Sequence, residues 1–232
     1  MIINLKRHIF LVIFCLSACT VFCEELTYTQ QKTNGLDIEL AQVNLIVNIF
    51  DEDRIAYRFD VAEGKKLSCV ETQKTLRIRQ LTPMKGTLYL FVPKTMLLEN
   101  CTIRTNRADI SLEGVQVVHM LAMANTASVT FKECRLKNAA INLARGNLSF
   151  DKTEIVRSCA FTVTDAAVEL VFPSEEAEYR LDYVHNRGTL TIAGKEYTKS
   201  PGAYGNAHAK RRIIFSGGAA TAAISFTKKD TK

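Results

Sequence analysis

From residue 101 onward the chain restates one short phrase about every 20 residues, and few folds accommodate such a rhythm. "CTIRTNRADISL" (101–112), "FTVTDAAVEL" (161–170) and "LDYVHNRGTLTI" (181–192) each read as strand, tight turn, strand. In steps of 20 from Cys101, one column holds Cys101, Leu121, Ile141, Phe161 and Leu181. A second holds Ile103, Met123, Leu143, Val163 and Tyr183. Between them lie Thr102, Ala122, Asn142, Thr162 and Asp182. Apolar, polar or small, apolar is the period-two alternation of a strand with one buried side.

The second strand of each unit keeps pace. Its inward pairs are Ile110/Leu112, Val129/Phe131, Leu148/Phe150, Val168/Leu170 and Leu190/Ile192, at intervals of 19, 19, 20 and 22. Asn106, Asn125–Thr126, Arg145–Gly146–Asn147, Asp165 and Asn186–Arg187–Gly188 lie between the strands, and these types accept tight or left-handed turns. Antiparallel hairpins in a sandwich would need neither a constant interval nor like residues in register. Parallel coils stacked about 4.8 Å apart need both. One coil cannot bury its inner side, so the stack stabilises as a unit. The expected fold is all-β, a single-domain β-solenoid of coils of about 20 residues.

The flanks fit as modified coils. "LDIELAQVNLIVNIF" (36–50), "RIAYRFDV" (54–61), "TLRIRQL" (75–81) and "TLYLFVP" (87–93) are strand-like, and the N-terminal part has hairpin character, with "DEDR" and "AEGKK" as turns. "RRIIFSGGAATAAISF" (211–226) restates strand, bend at Gly217–Gly218, strand, with Lys228 and Lys229 as a charged cap beyond it. "GKEYTKSPGAYGNAHAK" (194–210) interrupts the rhythm and reads as a surface loop. No helix is expected beyond the first residues.

"TLYLFVPKTMLLENCTIRTNRADISL" resembles the core of the bacterial adhesin-type, head GIN-like domains of unknown function. In those, a Val-Pro strand end precedes a recurring unit of the type Ile-x-Thr-x-x-Gly-Asp-Ile-x-Leu. Ala108 stands here where the family usually has Gly, before Asp109–Ile110, and Asn147, Ala167 and Gly188 hold comparable places in later units. The resemblance covers about residues 35–226. It implies a β-solenoid at the cell envelope and transfers no activity.

The first residues carry an address. Lys6, Arg7 and His8 precede an apolar stretch from Ile9 to Phe22, 14 residues long, and Glu24–Glu25 follow. That order is an export signal. A bilayer span needs about 20 residues, so an uncleaved anchor is the least favoured reading. "LSAC" (16–19) resembles the lipobox of bacterial lipoproteins, which makes Cys19 the lipidated residue. The rival is ordinary cleavage after Cys23, because "TVF" continues the apolar run past Cys19. Residues 1–19 thus read as a signal peptide with lipobox, 20–34 as a linker and 35–232 as the solenoid.

Without the signal peptide four cysteines remain: Cys69, Cys101, Cys134 and Cys159. An even number in an exported chain invites disulfides. The register opposes this, since Cys101 and Cys159 point inward about three coils apart, near 14 Å. They are expected as buried free thiols, with Cys69–Cys101 the least improbable bridge. Of His8, His119, His185 and His208, none has a metal partner at a recognised spacing, and His185 reads as a solvated turn residue. "SEEAE" (174–178) and "DED" (51–53) read as solvated acidic loops.

No catalytic, metal or cofactor-binding residue is expected. With Lys and Arg scattered and a net charge of +6, no nucleic-acid motif emerges. The expected function is a non-enzymatic, envelope-anchored lipoprotein whose solenoid is a spacer or binding and adhesion module. Its partners would be the membrane, through the lipid, and a protein or glycan at the envelope, facing the periplasm or cell surface. No small-molecule substrate is expected. The alternative is a soluble periplasmic or secreted solenoid that binds or acts on polysaccharide.

Overall fold

The computed structural model describes residues 26–30, 32–61 and 66–227. The N-terminal part holds β1 (Thr27–Tyr28), β2 (Gly35–Leu40), β3 (Val43–Phe50), β4 (Ala56–Val61), β5 (Ser68–Glu71), β6 (Thr75–Arg79) and β7 (Gly86–Pro93). The middle holds β8 (Leu97–Thr105), β9 (Ile110–Glu113), β10 (Gln116–Lys132), β11 (Arg135–Asp151) and β12 (Glu154–Phe172). The rest is β13 (Tyr179–Arg187), β14 (Leu190–Ile192), β15 (Lys195–Glu196), β16 (Gly202–Gly205), β17 (Arg211–Ala219) and β18 (Thr221–Phe226). Among the described residues the one helical segment is a 3₁₀ turn at Glu176–Glu178.

The middle strands stack in parallel, one coil per level, as the interval predicts. Each coil has a short side (for example 115–117), a first arm (119–124) and a second arm (127–132). Inward residues of successive coils fall in columns. On the second arm, Leu112, Phe131, Phe150, Leu170 and Ile224 lie one over the next. The ring centroids of Phe131 and Phe150 are 4.7 Å apart, and those of Phe150 and Phe161 5.1 Å. Burying each such ring is worth about 1.5–3 kcal/mol.

Two features of the columns differ from the expectation. The first is the frame of the first arm. The step from β8 to β10 and from β10 to β11 is 19 residues, and it becomes 20 only past an irregularity between Leu136 and Asn138 in the β11–β12 pairing. The columns are therefore Cys101–Met120–Ala139–Cys159 and Ile103–Ala122–Ile141–Phe161. Met120, Ala122 and Ala124 face the core, whereas Leu121 and Met123 face outward, Met123 being 41% exposed. A slip of one residue moves a whole strand to its other side.

The second is the order of the coils. Leu181 and Tyr183 point inward but do not sit on Phe161. The β17/β18 coil lies between, with Cys159 over Ile213 over Leu181 and Phe161 over Phe215 over Tyr183. The same happens at the other end, where β2/β3 fills the level between β6/β7 and β8/β9. Each end is then closed by antiparallel strands: β4 on β7 and β5 on β6 at one, β16 on β13 and β15 on β14 at the other. The segment 194–210, expected as a loop, thus supplies two edge-covering strands. Going out one level and returning leaves antiparallel hairpins where a simple spiral would leave open strand edges. The 211–226 coil is an interior level rather than the end cap, and Lys228 and Lys229 lie outside the described residues.

Candidate binding faces

Cys19 and the export signal lie outside the described residues. Among the described residues no helix is long and apolar enough to cross a membrane, and no group of three His, Cys, Asp or Glu side chains could hold a metal ion. All four later cysteines are free thiols, and three are buried. Burial pushes Cys101 up to about 12 and Cys134 up to about 11, so neither is a nucleophile at neutral pH. Cys134 sits at a corner, its thiol donating toward the carbonyls of Leu112 and Lys132. Cys69 is half-buried and rises to about 11, burial outweighing its bond with Tyr57.

His185 departs from the solvated turn expected of it. It is half-buried beside Tyr183, its backbone N–H donates to Ser200 Oγ, and its Nε2 is shielded without a hydrogen-bond partner among the described residues. The connection between β15 and β16 reaches it through Ser200. His119 is exposed on the first arm, and His208 is exposed in the segment before β17.

A cleft of ≈1040 Å³ lies at the C-terminal end beside Phe226. Glu175 and Glu176 contribute its carboxylates, and among the described residues no other that lines it is acidic. Glu176 accepts the phenol of Tyr204, and burial together with that bond raises the Tyr204 pKa well above the usual value. Glycoside hydrolysis needs two carboxylates facing each other across a bond. Two neighbours on one chain segment, one already committed, do not make that pair.

The outer sides of the two arms are the molecule's large regular surfaces, and they differ in charge. The second arm presents Asp109, Glu113, Asp151 and Glu169 against Lys132, which pairs with Glu113 at 2.7 Å. Asp109 Oδ1 accepts the Ser128 N–H of the next coil, and Asn125 Nδ2 donates to Asn106 Oδ1, so polar side chains tie level to level.

The first arm is basic. At one end Asp37, 21% exposed, receives Arg79 at 2.6 Å, Arg77 at 3.1 Å and Arg104 at 3.2 Å. Burial alone would raise the Asp37 pKa, but hydrogen bonds from Arg79 and Arg77 and the charges of Arg79 and Arg104 hold it below the ordinary value. At the other end Asp182 is held below its ordinary value in the same way, with Arg180 and Arg212 overcoming burial. Between the ends runs the outward column Thr102, Leu121, Ala140, Ala160 and Ile214. Depressions of ≈260 and ≈410 Å³ lie on either side of it. Lys137 and Arg157, both exposed, stand at the corner beside this column, and neither makes an ion pair with a described residue. The step-20 reading overlooked them, because Arg157 enters at the register irregularity.

Residues 31–218 match the family described as Toastrack DUF4097. An uncharacterized protein of Treponema pallidum (strain Nichols) is 24% identical over 230 residues, covering 95% of this chain and 92% of that protein. A crystal structure described as a putative cell adhesion protein from Clostridium sporogenes superposes with a TM-score of 0.53 at 11% identity, over 88% of this chain and 98% of that one. A Bacteroides fragilis structure described as a putative adhesin has a TM-score of 0.44 at 9% identity, with the same coverage. The likeness to the Clostridium sporogenes structure shows a shared fold.

Proposed function

The chain belongs to the Toastrack DUF4097 family, and from that premise we propose that it is a non-enzymatic binding module held at the bacterial envelope by a lipid on Cys19. The observation that carries this is the pair of long, regular outer sides, whose polar groups recur at every level of the stack. Parallel-strand faces of this kind suit extended partners. Several acidic residues are employed in holding the fold: Asp37 and Asp182 by arginines, Glu113 by Lys132, and Glu154 by Arg135 and Arg211. The description of the Clostridium sporogenes structure as a cell adhesion protein supports an adhesive role.

The anchor reading rests on "LSAC" at 16–19. Several acyl chains, at about 0.8 kcal/mol per buried CH₂, hold a protein firmly at a bilayer. Metabolic labelling of growing cells with an alkyne fatty acid is expected to mark the protein and to fail with Cys19→Ala. Unlabelled wild-type protein with a mature N-terminus at Glu24 would overturn the anchor and favour soluble export. Protease added to intact and then to permeabilised cells separates a surface-facing module from a periplasmic one.

A further inference from the structure

Lys137, Arg157, Arg212 and Arg180 lie on four successive levels at one border of the first arm, on β11, β12, β17 and β13; Arg212 and Arg180 stand in register with Ser158 and Asn138, and Lys137 and Arg157 fall one position before those two, at the register irregularity. Successive levels are about 4.8 Å apart. Among these four cations Arg212 and Arg180 share one acid, Asp182, at 2.8 and 3.0 Å. The row is therefore in excess of positive charge and faces solvent. Beside it the outward column dips. Ala140 and Ala160 lie between the larger Leu121 and Ile214, which makes a shallow trough two levels long, bounded across the strands by those two side chains. Carboxamide and hydroxyl groups border the dip on both sides: Asn138 and Ser158, bonded at 3.1 Å, on the cationic side, and Asn142 and Thr162 on the other.

We propose that this trough binds an extended anionic polysaccharide lying across the strands, with its acidic groups on Lys137, Arg157, Arg212 and Arg180 and its rings over Ala140 and Ala160. This deepens the binding-module reading and rests on it. The repeat of the row is close to the length of one sugar residue in an extended glycan, so charge and hydroxyl contacts recur in step. An acidic peptide fits less well. Strand addition uses a sheet edge, and the edge strands, β5 and β16 among them, lie at the ends of the stack rather than along the trough. A lipid surface fits less well too, because the exposed large apolar side chains on this side, Val70, Met123, Val184 and Ile214, are separated from one another by polar neighbours.

The test uses the purified full-length protein with polygalacturonate as probe and dextran as the neutral control. Saturable binding to polygalacturonate that weakens with added salt is expected, with none to dextran. The surface variant Lys137→Glu/Arg157→Glu is expected to bind at least about tenfold more weakly, a loss of about 1.4 kcal/mol. Lys85→Glu/Lys94→Glu, which changes the same charge elsewhere, is expected to bind as wild type. Unchanged thermal unfolding of both variants shows that neither acts through folding. Equal binding by the two variants, or equal binding of dextran, overturns the proposal. Binding to poly-glutamate or to phosphatidylglycerol vesicles without binding to polygalacturonate also overturns it, while leaving the binding module standing. The labelling of Cys19 reads the anchor independently of either result.

Discussion

Gly146 and Gly188 show how single residues let the coils turn. Gly146 has φ +120°, and a Cβ there would meet the carbonyl oxygen of Ala127 on the level beside it at 2.0 Å. At Gly188 φ is +94°, and a Cβ would meet the Ala220 oxygen at 2.1 Å. Both sit at corners between first and second arms, where the neighbouring backbone occupies the side-chain position. Gly194 also has a positive φ, +78°, but open space around it. Gly146→Ala is therefore expected to cost about 3 kcal/mol, left-handed strain plus displaced backbone, and Gly194→Ala about 1 kcal/mol, strain alone. Urea midpoints of the two variants measure the difference. Equal midpoints would mean that the Gly146 corner relaxes without loss. The glycine was visible in the sequence as a turn residue. Its contact with Ala127 was not, because that carbonyl belongs to another coil.

Among the elements, the inserted coil β17/β18 depends on Arg211. Its guanidinium, 20% exposed, reaches Glu154 at 2.7 Å, Glu178 at 2.9 Å and Ser174 Oγ at 2.6 Å, and lies 5.6 Å from the Tyr179 ring centroid. One side chain thus ties β12, the connection after it and β13 to the strand that separates them. Arg211→Ala leaves Glu154 with only Arg135 and takes from Glu178 its arginine, and is expected to destabilise the protein by about 3 kcal/mol. Arg211→Lys keeps the charge but loses the fork that reaches three partners, and falls between. Equilibrium unfolding of both variants checks the ranking. "RR" at 211–212 reads as two surface cations in sequence, yet one is a half-buried clamp and the other borders the trough.

At the scale of the whole molecule, the stack is not wound in chain order. In a simple spiral, removing the last coil would strip only the end. Here residues 211–226 separate β12 from β13, so a chain ending at residue 210 leaves 179–192 without a parallel neighbour. Hydrogen exchange of that truncated chain is expected to show 179–192 unprotected, with 97–151 still protected. Retained protection at 179–192 would mean that β13 can close directly on β12. Both ends of the stack use the same device, an outward excursion and a return, and both finish with antiparallel edge strands.

The sequence by itself determined that the chain would build parallel coils of about 20 residues with alternating sides. The second-arm columns, from Ile110/Leu112 to Val168/Leu170, stand as read. These are properties of a few neighbouring residues, since a strand's alternation is written locally and an interval can be counted. The tertiary structure alone decided which coil lies on which, that Leu121 and Met123 face outward, and that Lys137, Arg157, Arg212 and Arg180 form one row. Those relations join residues up to 67 positions apart, as Asp37 and Arg104 are. They follow from which strand edges remain open and how the chain covers them, and no local pattern encodes that choice.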